Sequence, residues 1–390
     1  MRIANRNGHI TGGGSDGWEI YYRTRDMQAA GERVLTLTIG EHDIRTDRAI
    51  LDAMHASAVA GNTGYAFGPG KPELREAIAA RVQARTGVPT SWRNVVVTPG
   101  GQSAMFSTHM VLLDAGDVGL HCDPFYATYP GTIRATGAEA RRVPTTSDQS
   151  FLPQEADILA RADGARTLMI NTPNNPTGVV YDRATLEGIG RAAVAADLWL
   201  ISDEVYDTQV WQGEHISPRA LPGMAERTIV LGSMSKSHAM TGSRLGWVVA
   251  PEPVAEAITT LATNTTYGVP AYIQDAALFA LNLGPDFERQ IAEPFRRRRE
   301  IAMRALAGSN AIRVIPSSGA MYLMLDIRAT GMSGNAFANA LLDAEKIAVM
   351  PGESFGDASA GHLRLALTIG DELIEEALTR LAAFADSRMP

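Results

Sequence analysis

The sequence predicts an α/β protein, with a large domain built on a mostly parallel sheet between helices and a smaller α+β domain. Three observations predict it. Short, near-continuous apolar runs alternate with helical segments from Val95 to Leu231, the pattern of strands buried on both faces. Residues with reactive or hydrogen-bonding side chains cluster just after those runs, where ligands bind in such sheets. From about Pro285 the pattern changes to one long helix followed by strands and helices in mixed order.

Taken in order, the polar residues 1–31, glycine-rich at 12–14, read as an arm that is weakly helical from Trp18 to Ala30. Val34 to Ile39 is a strand ending at Gly40, and a helix follows from about Asp47 to Ala60. Gly61 to Lys71 is a loop that is not a P-loop, because Tyr65 stands where the first glycine belongs and Pro72 where Ser or Thr is required. Pro72 suits the first turn of a helix that runs to about Arg85. Val95–Val97, Val118–Cys122, Thr167–Ile170, Trp199–Ile201, Thr228–Leu231 and Gly246–Ala250 are strands. Helices are expected between them to about Leu113, from about Tyr126, and from Arg183 to Ala196. Beyond Pro285, a helix to Ala307 precedes strands Ile312–Ile315 and Met321–Ile327, a helix from Ser333, strands Ile347–Met350 and His362–Leu367, and a last helix. The large domain is placed at 45–285. The small domain combines 286–390 with 1–44.

Composition excludes several classes. The chain has 390 residues and a net charge of 35 − 43 = −8, poorly suited to coating nucleic acid or an anionic membrane. The run Arg296 to Arg299 is the exception, and its helical, apolar-flanked setting reads as a solvated or interface face. Cys122 is the single cysteine, so no intrachain disulfide forms, which fits a reducing compartment, and a buried inert thiol is expected. The first residues lack the apolar core of a signal peptide, and no apolar run approaches the ~20 residues that span a bilayer. A cytoplasmic protein without nucleic-acid or membrane partners and without a metal is expected.

Lys236 lies between two apolar strands in a chain that strongly prefers Arg to Lys. A desolvated lysine amine has a lowered pKa and forms Schiff bases. Arg244, Ser233 and Ser235 supply a charged fork and hydroxyl donors suited to a phosphate, and Gly100-Gly101-Gln102-Ser103 opens a helix whose free N–H groups favour an anion. Taken alone, a solvated lysine on a surface turn and an ordinary glycine-rich turn explain these segments equally well. Asn174-Asn175-Pro176-Thr177-Gly178 follows a strand and offers an amide donor to a ring oxygen, although a tight turn also accounts for it. Asp203 ends a strand at the same edge, either capping a helix or pairing with a protonated pyridine nitrogen, and Tyr206 places a phenol beside it. A Schiff-base lysine, an acid, an amide, a phenol and a phosphate cradle are the parts that pyridoxal 5'-phosphate chemistry needs.

Asn174–Gly178, Ser202-Asp203-Glu204-Val205-Tyr206 and the stretch from Ser233 to Arg244 resemble, in order and over nearly the whole chain, the class I/II aminotransferases, fold type I of the pyridoxal-phosphate enzymes. The resemblance implies a seven-stranded-type sheet in the large domain and a role for each matching residue. Lys236 binds the cofactor as a Schiff base and moves the substrate proton. Asp203 pairs with the pyridine nitrogen, and Asn175 and Tyr206 with the ring oxygen. Gly101, Gln102, Ser233, Ser235 and Arg244 hold the phosphate, and Tyr126 stacks on the ring. Tyr65 reaches the phosphate of a neighbouring subunit, implying a homodimer with shared sites. Arg364 grips the substrate α-carboxylate and Gly40 approaches the substrate. The family usually has Pro where His42 stands, and many members carry Trp where Ser243 stands.

The implied reaction moves the α-amino group of an amino acid to a 2-oxo acid. Gly213–Pro218, Leu221–Met224, Tyr272–Ala277 and Gly352–Gly356 further resemble the branch of the family that uses arginine and pyruvate. A guanidinium substrate calls for an acidic partner, for which Asp16 and Glu19 are candidates, although solvated charges are the commoner role of such residues. The alternatives are an aspartate or aromatic aminotransferase using 2-oxoglutarate, a pyridoxal-phosphate-dependent β-lyase, and a catalytically idle regulatory relative.

Overall fold

The computed structural model describes residues 1–12 and 17–390, so Asp16 lies outside the described residues. The described residues form two sheets. The larger contains β2 (Val95–Thr98), β3 (Val118–Asp123), β4 (Glu139–Pro144), β5 (Ala165–Asn171), β6 (Trp199–Asp203), β7 (Thr228–Ser233) and β8 (Gly246–Val249), and the smaller contains β1 (Leu35–Leu37), β9 (Arg313–Val314), β10 (Tyr322–Asp326), β11 (Ile347–Pro351) and β12 (His362–Ala366). The seven strands of the larger sheet lie in the order β2-β8-β7-β6-β5-β3-β4. Its neighbours pair in parallel except where β8 runs against β2 and β7. Strands β2, β3 and β7 are buried at every position, as strands covered on both faces must be.

The smaller sheet has the order β1-β11-β12-β10-β9, with β1 parallel to β11 and the other pairs antiparallel. The chain therefore enters this sheet at β1, crosses to the larger sheet, and returns after the helix Gly284–Leu306. Strand β1 is shorter than the run expected from Val34 to Ile39, and the helix expected from Tyr126 begins at Tyr129. Cys122 is buried, and burial pushes its thiol up to about 12, so it is inert at neutral pH. Among the described residues no helix is long and apolar enough to cross a membrane.

The arginine run divides its work along the helix Gly284–Leu306. Arg296 pairs with Glu293 and Glu300 on the exposed face, whereas Arg298 is only 5% exposed and makes a two-pronged contact with Asp43 at 2.8 and 2.6 Å. The run is thus solvated at one position and an internal interface at another.

Candidate active site

Three neighbouring parallel strands end on the same side. Asn171, Asp203 and Ser233 close β5, β6 and β7, and register places Asn171 opposite Asp203. Beyond these ends lies a cavity of about 350 Å³, lined among others by Gly40, Gly101, Gln102, Tyr126, Asn175, Asp203, Tyr206, Ser233, Ser235, Lys236, Arg244 and Arg364. Every residue that the family resemblance assigned to the site except Tyr65 lines it; Glu19, offered as an acidic partner for a guanidinium, is exposed at the start of the helix Glu19–Ala29 and does not line the cavity. Tyr65 is 94% exposed and packs on Tyr267, ring centroids 5.6 Å apart, away from the cavity of its own chain.

Lys236 stands in a single helical turn, Met234–Ser237, capped by Ser233, whose hydroxyl accepts from the Ser235 N–H at 3.1 Å. Its ammonium donates to the Gly40 carbonyl. Burial pushes the amine down to about 8, helped by the Arg364 and Arg244 guanidinium groups and opposed by Glu41. At neutral pH this leaves a far larger share of free amine than an ordinary lysine has.

Asp203 accepts from the Tyr129 hydroxyl at 2.7 Å and from the Val205 N–H at 3.3 Å. Burial pushes its carboxyl up to about 6, so it is mostly ionised at neutral pH, a fixed negative charge on the cavity floor. The two asparagines of the Asn174-Asn175 pair do different things. Asn174 builds the turn, accepting from the Thr177 N–H and hydroxyl at 3.1 and 2.7 Å. Asn175 faces the cavity, its backbone N–H held by Asn171 at 2.7 Å.

Arg364 comes from β12 of the smaller sheet and is only 1% exposed. It lies between the Tyr322 and Phe355 rings, 4.7 and 4.4 Å from their centroids, and donates to Asn175 and to the Thr38 carbonyl. Its Nε is buried without a partner among the described residues. A buried guanidinium with an unused donor at a cavity wall suits a carboxylate bound as a fork.

Another part of the cavity wall suits a phosphate. Gly101 and Gln102 open the helix Gly100–Leu112, whose first N–H groups have no intrahelical acceptor. Arg244 sits over this turn, held by the Thr241 carbonyl at 3.0 Å. Gly100 has φ +81°, and a Cβ there would lie 2.3 Å from Arg244 Nη2, so glycine is what admits the guanidinium. Lys236, Asp203, Asn175, Tyr206 and this cradle fit a phosphorylated pyridine aldehyde in size and charge.

Sequence reasoning missed Tyr129 and Tyr322. Tyr129 bonds Asp203, and Tyr322 bonds the Tyr206 hydroxyl at 2.9 Å and lies under Arg364. Tyr322 sits in the apolar run Met321–Leu325 and Tyr129 in the segment expected to be a helix, and both are buried, so they look like core. The available signal was that a buried phenol needs a polar partner. Trp18 also lines the cavity, bringing the N-terminal arm to it.

The sequence matches the family described as aminotransferase class I and II over residues 32–381. It is 42% identical over 387 residues to the arginine–pyruvate transaminase of Pseudomonas aeruginosa, covering 99% of this chain and 98% of that one. It is 33% identical over 363 residues to the aspartate/prephenate aminotransferase of Thermus thermophilus, covering 92% of each. Among solved structures, the Thermus thermophilus aspartate aminotransferase with maleate superposes with a TM-score of 0.92 at 31% identity, over 98% of this chain and 100% of that one. Site and similarity agree: the chain belongs to the class I and II aminotransferases and is a transaminase.

Proposed function

We propose that this transaminase uses pyridoxal 5'-phosphate and moves the α-amino group of arginine to pyruvate. The observation that carries the cofactor is the meeting of Lys236, Asp203 and Arg364 with a phosphate cradle in one cavity. The substrate pair is supported by the 42% identical relative, named as an arginine–pyruvate transaminase and matched over nearly its full length.

When bound, the cofactor supplies an electrophilic aldehyde carbon and a cationic ring that spreads the charge left by a departing α-proton. The residues would divide the remaining work. Lys236 would hold the aldehyde carbon until the substrate amine takes its place, and the Nζ so freed would be the base for the α-proton, since burial keeps part of it neutral near pH 8. Asp203 would hold a pyridine nitrogen protonated, with Tyr129 fixing which carboxylate oxygen is used. Asn175 and Tyr206 would donate to the ring oxygen, with Tyr126 stacked on the ring. Gly101, Gln102, Ser233, Ser235 and Arg244 would hold the phosphate. Arg364 would fix the α-carboxylate, with Gly40 giving the substrate close access: a Cβ on Gly40 would lie 1.7 Å from the Tyr322 hydroxyl.

The exposed Tyr65 supports a homodimer in which this ring reaches the neighbouring subunit's phosphate. The two sheets support a large domain at 45–285 and a small one combining 1–44 with 286–390. A buried, unpaired Cys122 supports a cytoplasmic location.

The test is the absorbance of the purified protein with added pyridoxal phosphate, titrated with arginine, alanine and aspartate in turn. Conversion of the aldehyde-form band to the amine form by arginine and alanine is expected. Conversion by aspartate or glutamate alone would move the protein to the aspartate group, a second reading that the Thermus relatives favour. No band at all would remove the cofactor assignment.

A further inference from the structure

The crossover from the smaller sheet to the larger one, Gly40 to Thr46, lies against the segment that carries Lys236. Four side-chain contacts join them. Lys236 Nζ donates to the Gly40 carbonyl, His42 Nε2 lies 3.0 Å from the Lys236 carbonyl, Thr241 donates to Glu41 at 3.1 Å, and Thr46 donates to the Ala239 carbonyl at 2.7 Å. Two of the four involve Lys236 itself, one at its amine and one at its backbone.

The His42 contact has a determined polarity. A carbonyl oxygen only accepts, so Nε2 must carry the proton. Nδ1 is buried without a partner among the described residues, and it is cheaper there as a bare lone pair than as a second N–H. The ring is held edge-on to Phe295, centroids 5.0 Å apart at 75°. The charged groups facing it are Lys236, Asp43 and Arg298. Burial and the Lys236 charge push the imidazole down to about 3, so it stays a neutral donor over the whole working range.

The geometry points to His42 as a positioning residue for Lys236: a neutral, packed N–H donor that pins the Lys236 backbone carbonyl and so keeps its amine inside the cavity. The role rests on the reading of Lys236 as the reactive amine. It adds a residue that touches neither substrate nor cofactor and acts through the main chain. Holding one end of a long side chain within a fraction of an ångström is what a reactive amine needs, and small misplacements carry large rate penalties.

The test uses the full-length protein, freed of any bound cofactor by hydroxylamine and dialysis so that the Lys236 amine is open to reagent, and it does not depend on turnover. The chain has only three lysines, Lys71, Lys236 and Lys346. Lys71 is paired with Asp275 and Lys346 with Glu32, so both serve as internal references. Trace acetylation at a series of pH values, read by peptide mass spectrometry, gives each lysine's half-reactive pH. His42→Phe keeps the packing on Phe295 and removes the donor, and His42→Gln restores a donor. In His42→Phe the Lys236 midpoint is expected to rise by roughly one pH unit toward that of a solvated lysine, with Lys71 and Lys346 unmoved. In His42→Gln it stays within a few tenths of a unit of the parent. With cofactor added, kcat should fall about tenfold or more in His42→Phe while KM stays within about twofold, and His42→Gln should recover most of it.

Three results would overturn the assignment: an unchanged Lys236 midpoint in His42→Phe, equal movement of all three lysines, or a His42→Gln protein no better than His42→Phe. Thr46→Val removes a neighbouring contact that does not touch Lys236, and a shift as large as that of His42→Phe would also overturn it. If His42→Phe does not fold, His42→Leu takes its place in the same comparison. A protein that shows this lysine behaviour but binds no pyridoxal phosphate would sink the cofactor reading and leave the His42 contact standing.

Discussion

Arg364 donates from Nη1 to the side-chain oxygen of Asn175 at 3.1 Å, joining the smaller sheet to the turn that follows β5. The contact decides which way the Asn175 amide points. Its oxygen is occupied, so its NH₂ is the group left to face the cavity, as donation to a ring oxygen requires.

Asn175→Asp tests that coupling. A carboxylate in place of the amide would draw the Arg364 guanidinium into a local ion pair and remove the N–H donor. KM for the amino acid should rise about tenfold or more, because the substrate carboxylate must then compete for the fork. Asn175→Ala should raise KM less than Asn175→Asp does. Steady-state kinetics on both variants decides it, and equal KM values would show that Asn175 does not compete for Arg364.

Asp203 carries a cost in stability that the chemistry requires. Burial raises its folded pKa to about 6, above the ordinary aspartate value of 3.8. Between those two values the folded chain holds a proton that the unfolded chain has released, so stability falls as pH rises through this window. Above about pH 6 the deficit is complete, on the order of 3 kcal/mol. Asp203→Asn removes the deficit. Without added cofactor it should melt a few degrees above the parent at pH 7.5 and at the same temperature near pH 4, while activity falls by about 100-fold or more. Calorimetry at the two pH values, with an activity assay, checks both halves.

The two phenols Tyr206 and Tyr322 are buried with their hydroxyls 2.9 Å apart, rings edge to face at 5.8 Å. Replacing one by Phe leaves the other hydroxyl, itself buried, without this partner. Tyr206→Phe and Tyr322→Phe should each lose about 1–2 kcal/mol of stability. The double variant should lose less than the sum, with a coupling on the order of 1 kcal/mol by a double-mutant cycle in urea. Strict additivity would mean that a water replaces the missing hydroxyl in each single variant.

How far these relationships could be read in the sequence follows from where the side chains sit. Strands such as Val95–Thr98 and Thr228–Ser233 are apolar throughout because both faces are covered, and so they stand out as runs. Strand β4, Glu139–Pro144, was not identifiable: it lies at the sheet edge, carries Glu139, Arg141 and Arg142, and has mostly accessible positions. Lys236, Asp203 and Asn175 were legible together because each lies at or within a few residues of the end of a buried parallel strand, where ligands bind in such sheets. Tyr129, Tyr322 and His42 were not, because each acts through a three-dimensional neighbour. The partner of His42 is 194 residues away and is a backbone carbonyl, which leaves no mark on residue type.

The last prediction concerns Arg298, which ties the helix Gly284–Leu306 to the same crossover that touches Lys236. It is 5% exposed, forks onto Asp43 at 2.8 and 2.6 Å, reaches Asp371 at 3.2 Å and donates to the Leu367 carbonyl at 3.2 Å. Arg298→Ala would leave Asp43 without this cation and the Leu367 carbonyl without this donor, while Asp371 keeps its pair with Arg297. The loss should be about 2–4 kcal/mol, toward the lower end because Asp43 and Asp371 keep some contact with water. Arg296→Ala, two residues earlier on the exposed face of the same helix, should leave the denaturation midpoint almost unchanged, since solvated ion pairs contribute little. Asp43 also lies one residue beyond His42, so Arg298→Ala should lower kcat as well as stability. Chemical denaturation of the two variants side by side, with kcat measured where both are fully folded, separates these effects. A loss of stability with kcat unchanged would show that Arg298 braces the smaller sheet without steadying the crossover beside Lys236.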